Sequence, residues 1–470
     1  MTTQQPAAGT ARQSAWPDIS VNGGRAVGVD GGVDTRAPLT ATVTVPGDKS
    51  ITHRALLSSL ITESPVEVRN ANPGGAVRAL LDPLRLLGFS VRWSGGSLIV
   101  EPDAAPEGGE VGESGEPVLD VGGSSAAGRL LIGVLAGKGI SAIVDGDAVL
   151  RQRPMEWVVE PLRELGARID YLGAAGRLPV AVRGPVRRSV PITLRVGSAQ
   201  ARSAVLLAAV GAGLPVEIGH PVRSRDHTER LLAALGADLV EDEQLLTYRG
   251  GALKALPVIE VPNDPSLAAY PAAAHLLWGD GSTLRLPGVC LNPTRLGFFE
   301  VLRKAGAAIR YEDRAVVAGE QIGTIVVEGG LDGVGPFAVE DEQTFHSLID
   351  EAPLLAAVGT RLPGSSRIGA SAELVFKETN RLLTTQEMLR GFGADVTVSD
   401  TSIRVEGGAP LTAATVDGFG DHRIAMTAVT LGCALPGRTT VLGGACHTTS
   451  YPGFAEDMAA IGADIERDGE

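Results

Sequence analysis

Six copies of one helix-to-strand turn run the length of this chain of 470 residues, each built on an apolar-glycine pair. They are Leu87-Gly88-Phe89, Leu165-Gly166-Ala167, Leu235-Gly236-Ala237, Ala305-Gly306-Ala307, Phe392-Gly393-Ala394 and Ile461-Gly462-Ala463. Successive glycines stand 78, 70, 70, 87 and 69 residues apart. Each sits where a helix ends and the chain must turn through a left-handed conformation, which glycine adopts without a steric penalty. A period of this length, repeated six times, means an architecture made by duplication. It is too long for a solenoid unit. Each copy is instead expected to be a small α/β subdomain, with strands, crossover helices and a closing hairpin in a mixed sheet.

A chain this long exceeds what one hydrophobic core supports, so two domains are expected. Their boundary falls between the third and fourth glycines, at Val261-Pro262-Asn263-Asp264-Pro265, where two prolines and turn formers mark a crossing. A second crossing is expected at Pro46-Gly47, because the strand Val43-Thr44-Val45 precedes the first helix. Residues 1–36, rich in Gly, Ala, Thr and Gln without an apolar core, read as a disordered tail and not as a signal peptide. The Gly-, Glu- and Pro-rich stretch Pro102 to Pro117 reads as a surface loop.

A net charge of −14 argues against nucleic acid or an anionic membrane surface as partner, and no apolar run reaches membrane-span length. Anionic ligands would therefore need cations gathered locally in a cleft. Three cysteines at no metal-ligand spacing suit a reducing cytosol, with no metal or other cofactor expected. The expected compartment is the cytoplasm.

The cations fall into four groups. Pro46-Gly47-Asp48-Lys49-Ser50-Ile51-Thr52-His53-Arg54 opens a helix at about Ser50, whose free amides join Ser50 and Arg54 on one face with Lys49 at the lip. A small-residue loop, Gly122-Gly123-Ser124-Ser125-Ala126, leads a helix that carries Arg129. Arg151-Gln152-Arg153, Ser198-Ala199-Gln200 and Arg225-Asp226-His227 follow strand-like runs at equivalent places in their units. In the second half stand Asp350-Glu351-Ala352-Pro353, Lys377-Glu378-Thr379-Asn380-Arg381 and Asp421-His422-Arg423, with Lys377 and Arg381 expected on one helix face. Any one of these strings can be a solvated helix start or a structural ion pair. Carboxylates set among anion-binding cations can equally be acid–base groups.

In this order and in register with six repeats, the strings resemble the 5-enolpyruvylshikimate-3-phosphate synthase family of enolpyruvyl transferases, over roughly residues 38–465. The resemblance implies two domains of three βαβαββ-type units about pseudo-threefold axes. Residues 48–260 would form one, and 37–47 with 261–470 the other, with the site between them. It also implies attack of the shikimate-3-phosphate 5-hydroxyl on C2 of phosphoenolpyruvate, then elimination of phosphate. Carried over position by position, Lys49, Asp350 and Glu378 would move protons. Lys49, Ser50, Arg54, Ser198, Ala199, Gln200, Arg225, Asp350 and Lys377 would bind shikimate-3-phosphate. Lys49, Ser125, Arg129, Arg153, Gln200, Lys377, Arg381 and Arg423 would bind phosphoenolpyruvate.

The chain departs from the family's usual pattern. The phosphoenolpyruvate loop has lost an Asn and a Thr, and Ser125 replaces a Gly. Gly74-Gly75 stand where acids are common, Asn380 replaces an Asp, and Thr448-Thr449-Ser450-Tyr451-Pro452 lacks a lysine. The altered loop suits a paralogue acting on a shikimate-like ring, such as a lyase. The related UDP-N-acetylglucosamine enolpyruvyl transferases use a loop cysteine and a Lys-Asn pair, and here the pair is Lys49-Ser50. Cations split between the two halves are expected to repel until a dianion bridges them.

Overall fold

The glycine turns are where the repeat is written into the backbone. Gly88, Gly166, Gly236, Gly306, Gly393 and Gly462 all have φ between 87° and 114°. A computed structural model describes residues 16–23, 40–102, 108–112, 115–242, 244–279, 281–369 and 371–467. It contains six four-stranded sheets with one topology, a parallel pair extended by two antiparallel strands. The unit of the second glycine shows the pattern: Val118–Asp120, helix Ser125–Lys138, Ala142–Asp145, helix Glu156–Glu164, then Ile169–Tyr171 and Val180–Val182.

Three sheets borrow a strand. Val258–Glu260 pairs in parallel with Val66–Arg69 of the first unit, and Thr40–Thr42 with Thr283–Cys290 of the fourth. The chain therefore passes between the two halves at residues 43–48 and again at 261–264. In the sixth sheet, Ile19–Gly23 lies between Gly437–Leu442 and Asp464–Arg467, antiparallel to both. This corrects the reading of residues 1–36 as a disordered tail. Ile19 and Val21 are fully buried, so a segment of low overall hydrophobicity carries two apolar residues in alternation that complete a sheet. Residues 1–15 and 24–36 of that segment, and 103–107 and 113–114 of the expected surface loop, lie outside the described residues.

Two apolar cores result. One joins residues from Ile51 to Val261 with Cys290; the other joins Ile19, Val21, Val43 and Val45 to residues from Leu267 to Ala463. Each is centred on small-residue helices buried around most of their circumference, as helices inside a core must be. The first core holds Lys49–Thr62, Ser125–Lys138 and Ala199–Ala212, and the second Pro265–Trp278, Ala352–Gly359 and His422–Cys433. Close approach explains the small residues. A Cβ at Gly133 would lie 2.4 Å from the Ala204 carbonyl oxygen, and one at Gly137 2.5 Å from that of Ala208.

Candidate active site

The six central helices bring their N-termini to the cleft between the halves, where helix dipoles and free amides favour anions. Their caps follow from the sequence. Asp48, Ser124, Ser198, Asp264 and Asp421 each accept a backbone N–H from the first turn of the helix they precede. Lys49 is thereby the first residue of its helix, Ser125 of the second, and Arg423 lies in the first turn of the sixth.

A cavity of about 80 Å³ lies between the halves. Ser50, Arg54, Arg129, Arg153, Ser198, Ala199, Gln200, Arg225 and Lys377 line it. Sequence reasoning missed Trp157, His346, Glu373 and Phe376, which line it as well. Trp157 and Phe376 sit within or beside the strings Arg151–Pro154 and Lys377–Arg381, and that proximity was the one available signal. Ser125 does not line this cavity; its neighbour Ala126 does. Lys49, Asp350, Glu378, Arg381 and Arg423 are not among the lining residues; ion pairs join Asp350, Glu378 and Arg381, with Lys49 and Arg423 in their field.

Asp350 is the hub of that cluster. It pairs with Arg225 at 2.7 Å, Arg381 at 3.2 Å and Lys377 at 4.0 Å. Burial raises its carboxyl, but Arg225, Lys377, Arg423 and Arg381 together outweigh burial and hold it well below the usual range. Glu378 bonds Arg381 and lies 3.5 Å from Arg153. It too is held well down, burial being outweighed by Arg381 and Arg153 first. Arg381 is fixed by Asp421 at 2.9 Å, and Lys377 also meets Glu373 at 3.3 Å. The expectation that Lys377 and Arg381 share a helix face is corrected. Lys377 follows the 3₁₀ turn Ala372–Phe376, and the helix begins only at Arg381, capped by the Asn380 side chain.

Other cations make no ion pair among the described residues. The ammonium of Lys49 makes no hydrogen bond or ion pair among the described residues, and burial, then Arg423, lowers its pKa. Arg54 spends its donors on neutral oxygens of Thr228, Ser50 and Ser203. Arg129 does the same with Gln200 and the Pro154 carbonyl, its Nε having no partner. Burial first, and for Arg129 then the Arg153 charge, pushes both guanidinium groups below their ordinary value. Buried cations facing only neutral partners constitute a site for anions.

The arrangement is mutually attractive across the cleft, contrary to the expected repulsion. Arg225 of the first half reaches Asp350 of the second, and Arg153 reaches both Glu378 and the Phe376 carbonyl, at 3.2 Å. Carboxylates of one half thereby occupy cations of the other. At about 80 Å³ the space is well below the usual size of a ligand pocket, so a ligand must part these pairs.

Beside the site, a fully buried network ties both crossings together. Arg295 donates to Asp48 at 2.5 Å, Asp264 at 2.8 Å, Ser266 at 2.9 Å and His227 Nε2 at 2.9 Å. His227 Nδ1 in turn meets Glu320 at 2.6 Å. His227, Cys290 and Glu320 lie close enough to hold a metal ion. Both imidazole nitrogens are already engaged, one by a guanidinium that would repel a cation.

Residues 33–458 match the model of the EPSP synthase (3-phosphoshikimate 1-carboxyvinyltransferase) family. The chain belongs to the EPSP synthase family. Among its relatives, the 3-phosphoshikimate 1-carboxyvinyltransferase of Shouchella clausii is 35% identical over 426 residues, 90% of this chain and 96% of that protein. The enzyme of the same name from Acidiphilium cryptum is 38% identical, covering 91% of this chain and 96% of its own length. The solved EPSP synthase of Acinetobacter baumannii superposes with a TM-score of 0.79 at 29% identity, over 96% of this chain and 100% of that one.

The structure gives the departures from the EPSP synthase pattern a physical account. Two of them touch. A Cβ at Gly74 would lie 2.7 Å from the Thr449 carbonyl oxygen, and the Asn72 amide donates to the Ser450 carbonyl at 3.1 Å. Where acids and a lysine are absent, Gly74 leaves room for the Thr449 carbonyl and the Asn72 side chain bonds the next one. Ser124 caps its helix, and Asn380 accepts amides from Leu382 and Leu383.

Proposed function

We infer that this chain transfers the enolpyruvyl group of phosphoenolpyruvate to the 5-hydroxyl of shikimate-3-phosphate, releasing phosphate, as a member of the EPSP synthase family. The observation that carries the assignment of roles is the meeting of Lys49, Asp350 and Glu378 inside one cationic cluster. The ammonium of Lys49 lies in the field of both carboxylates and of Arg423. Ser50, Arg54, Ser198, Ala199, Gln200, Arg225 and Lys377 hold the ring and its phosphate. Ser125, Arg129, Arg153, Gln200, Arg381 and Arg423 hold phosphoenolpyruvate, guanidinium forks matching its phosphate and carboxylate. Lys49 faces both substrates.

In the ligand-free protein the surrounding cations hold Asp350 well below the usual carboxylate range. A substrate anion that takes over Arg225 and Lys377 removes much of what depresses it, and its basicity rises on binding. Asp350 then accepts the proton of the 5-hydroxyl as its oxygen attacks C2. Glu378 and Lys49 deliver a proton to the methylene carbon and remove one from the resulting methyl as phosphate leaves.

Two domains, 48–260 and 37–47 with 261–470, are supported by the two apolar cores. Both halves of the site come from one polypeptide, which supports a monomer as the working unit. Among the described residues no helix is long and apolar enough to cross a membrane, and three free, buried thiols suit a reducing cytoplasm. The test is phosphate release by purified protein. Release requiring both substrates is expected; consumption of shikimate-3-phosphate alone refutes the transferase reading in favour of a lyase.

A further inference from the structure

One aromatic contact crosses the cleft at the cavity mouth. The ring of Phe376, from the second half, meets that of Trp157, from the first, edge to face at 5.7 Å and 89°. Both line the cavity. Phe376 is 45% exposed, an apolar side chain on a charged rim whose one aromatic partner lies in the opposite half. The other face of the contact is ionic. The Arg129 guanidinium lies over the Trp157 ring at 5.9 Å. Its terminal nitrogens bond Gln200 and the Pro154 carbonyl at 2.7 Å, so the ring and two neutral oxygens set its plane. The Phe376 carbonyl accepts from Arg153, and Phe376 directly precedes Lys377 and Glu378. Four charged groups of the site, Arg129, Arg153, Lys377 and Glu378, are thus joined through this pair.

We propose that Trp157 and Phe376 are positioning residues for the enolpyruvyl donor, an aromatic clasp that closes across the cleft and holds Arg129 in the plane where it meets the donor's anionic groups. This rests on the assignment of Arg129 and Arg153 to phosphoenolpyruvate made above. With the clasp shut, Arg129 keeps one orientation and Arg153 stands against Glu378. With it open, the ring that orients Arg129 loses its own support, and the Phe376 carbonyl withdraws from Arg153. Of the groups assigned to the ring substrate, Gln200 and Lys377 are tied to this pair while Ser50, Arg54 and Ser198 bond elsewhere, so the larger effect falls on phosphoenolpyruvate.

Phosphate release is measured for the parent, Trp157→Leu, Phe376→Ala, their double variant and Trp157→Phe. The KM for phosphoenolpyruvate is expected to rise about 3- to 10-fold in each single variant, the range that an aromatic pair and a cation–π contact support. The kcat stays within about twofold, the KM for shikimate-3-phosphate rises less than that for phosphoenolpyruvate, Trp157→Phe retains most of the parent's affinity, and the double variant is no worse than the poorer single one. An unchanged KM for phosphoenolpyruvate, additive effects, or an equal rise in both KM values with lowered thermal stability each overturns the proposal. A second measurement needs no turnover. The emission of Trp157, isolated as the difference between parent and Trp157→Phe, should be quenched more readily by acrylamide in Phe376→Ala. Equal quenching overturns the clasp even in an active enzyme. A parent that releases no phosphate refutes the activity itself, while quenching still decides the clasp.

Discussion

Replacing Arg295 by methionine should destabilise the protein by about 3–5 kcal/mol at neutral pH, the usual cost of stripping one partner from a buried ion pair. Arg295 and its two carboxylates are each at most 3% exposed, and it bonds Asp48 at 2.5 Å and Asp264 at 2.8 Å. Both helices keep their caps in the variant, because Asp48 still accepts from Ile51 at 2.8 Å and Asp264 from Ser266 at 2.9 Å. What disappears is the charge compensation. In the parent, burial raises the Asp48 carboxyl, but Arg295 and then His227 outweigh it and hold the group far below its usual range. A depressed folded-state value contributes stability above the unfolded pKa of about 3.9 and loses it as pH falls through the folded value. Without Arg295, burial acts against weak opposition and the value rises. The variant then carries a penalty at pH 7 that fades as Asp48 takes up a proton. Its deficit against the parent should therefore shrink from pH 7 to pH 5. Urea unfolding followed by circular dichroism at both pH values measures this. Arg295→Lys, which cannot fork between two carboxylates, should lose about 1.5–3 kcal/mol. Turnover should fall about 100-fold in the methionine variant, since the N–H of Lys49 is held by Asp264 at 3.3 Å and a shift of about 1 Å costs that much. A deficit under about 1 kcal/mol, or one that does not narrow with falling pH, would refute the reasoning.

Asp350→Asn should lower kcat by about 10²–10⁴-fold with the fold intact by circular dichroism; activity within a few-fold of the parent would remove Asp350 from the proton-transfer set. Lys49→Met should abolish detectable turnover yet raise the thermal midpoint of the ligand-free protein, because burial and Arg423 disfavour the ammonium it replaces. An unchanged or lower midpoint would mean that Lys49 is already compensated. Removing residues 1–23 should lower stability by about 3–6 kcal/mol for the two buried side chains alone, Ile19 and Val21, and open a strand gap in the sixth sheet. Urea midpoints and light scattering check it; an unaltered midpoint would show that the sheet closes without this strand.

The glycine at each of six helix ends and the helix starts near Ser50, Ser198 and Asp421 are local features. They were legible because a turn and a helix start impose their chemistry on the residues that occupy them. The same locality made the cationic strings readable as anion sites, and their common order with a known family supplied the rest. Local pattern failed where pairing partners are distant. Ile19–Gly23 has too little apolar content to announce itself, and only two neighbours more than 400 residues away make it a strand.

Sequence alone determined the six-unit α/β body, because it is set by period and turn chemistry, each read within a short window. Tertiary structure alone decided which charges neutralise one another. Arg225 and Asp350 lie 2.7 Å apart across 125 residues of chain, so the halves attract where charge counting implied repulsion. The Arg295 network and the Trp157–Phe376 contact arose the same way. Coulomb and dispersion forces act on distance in space, and separation along the chain fixes that distance only within an element or a turn.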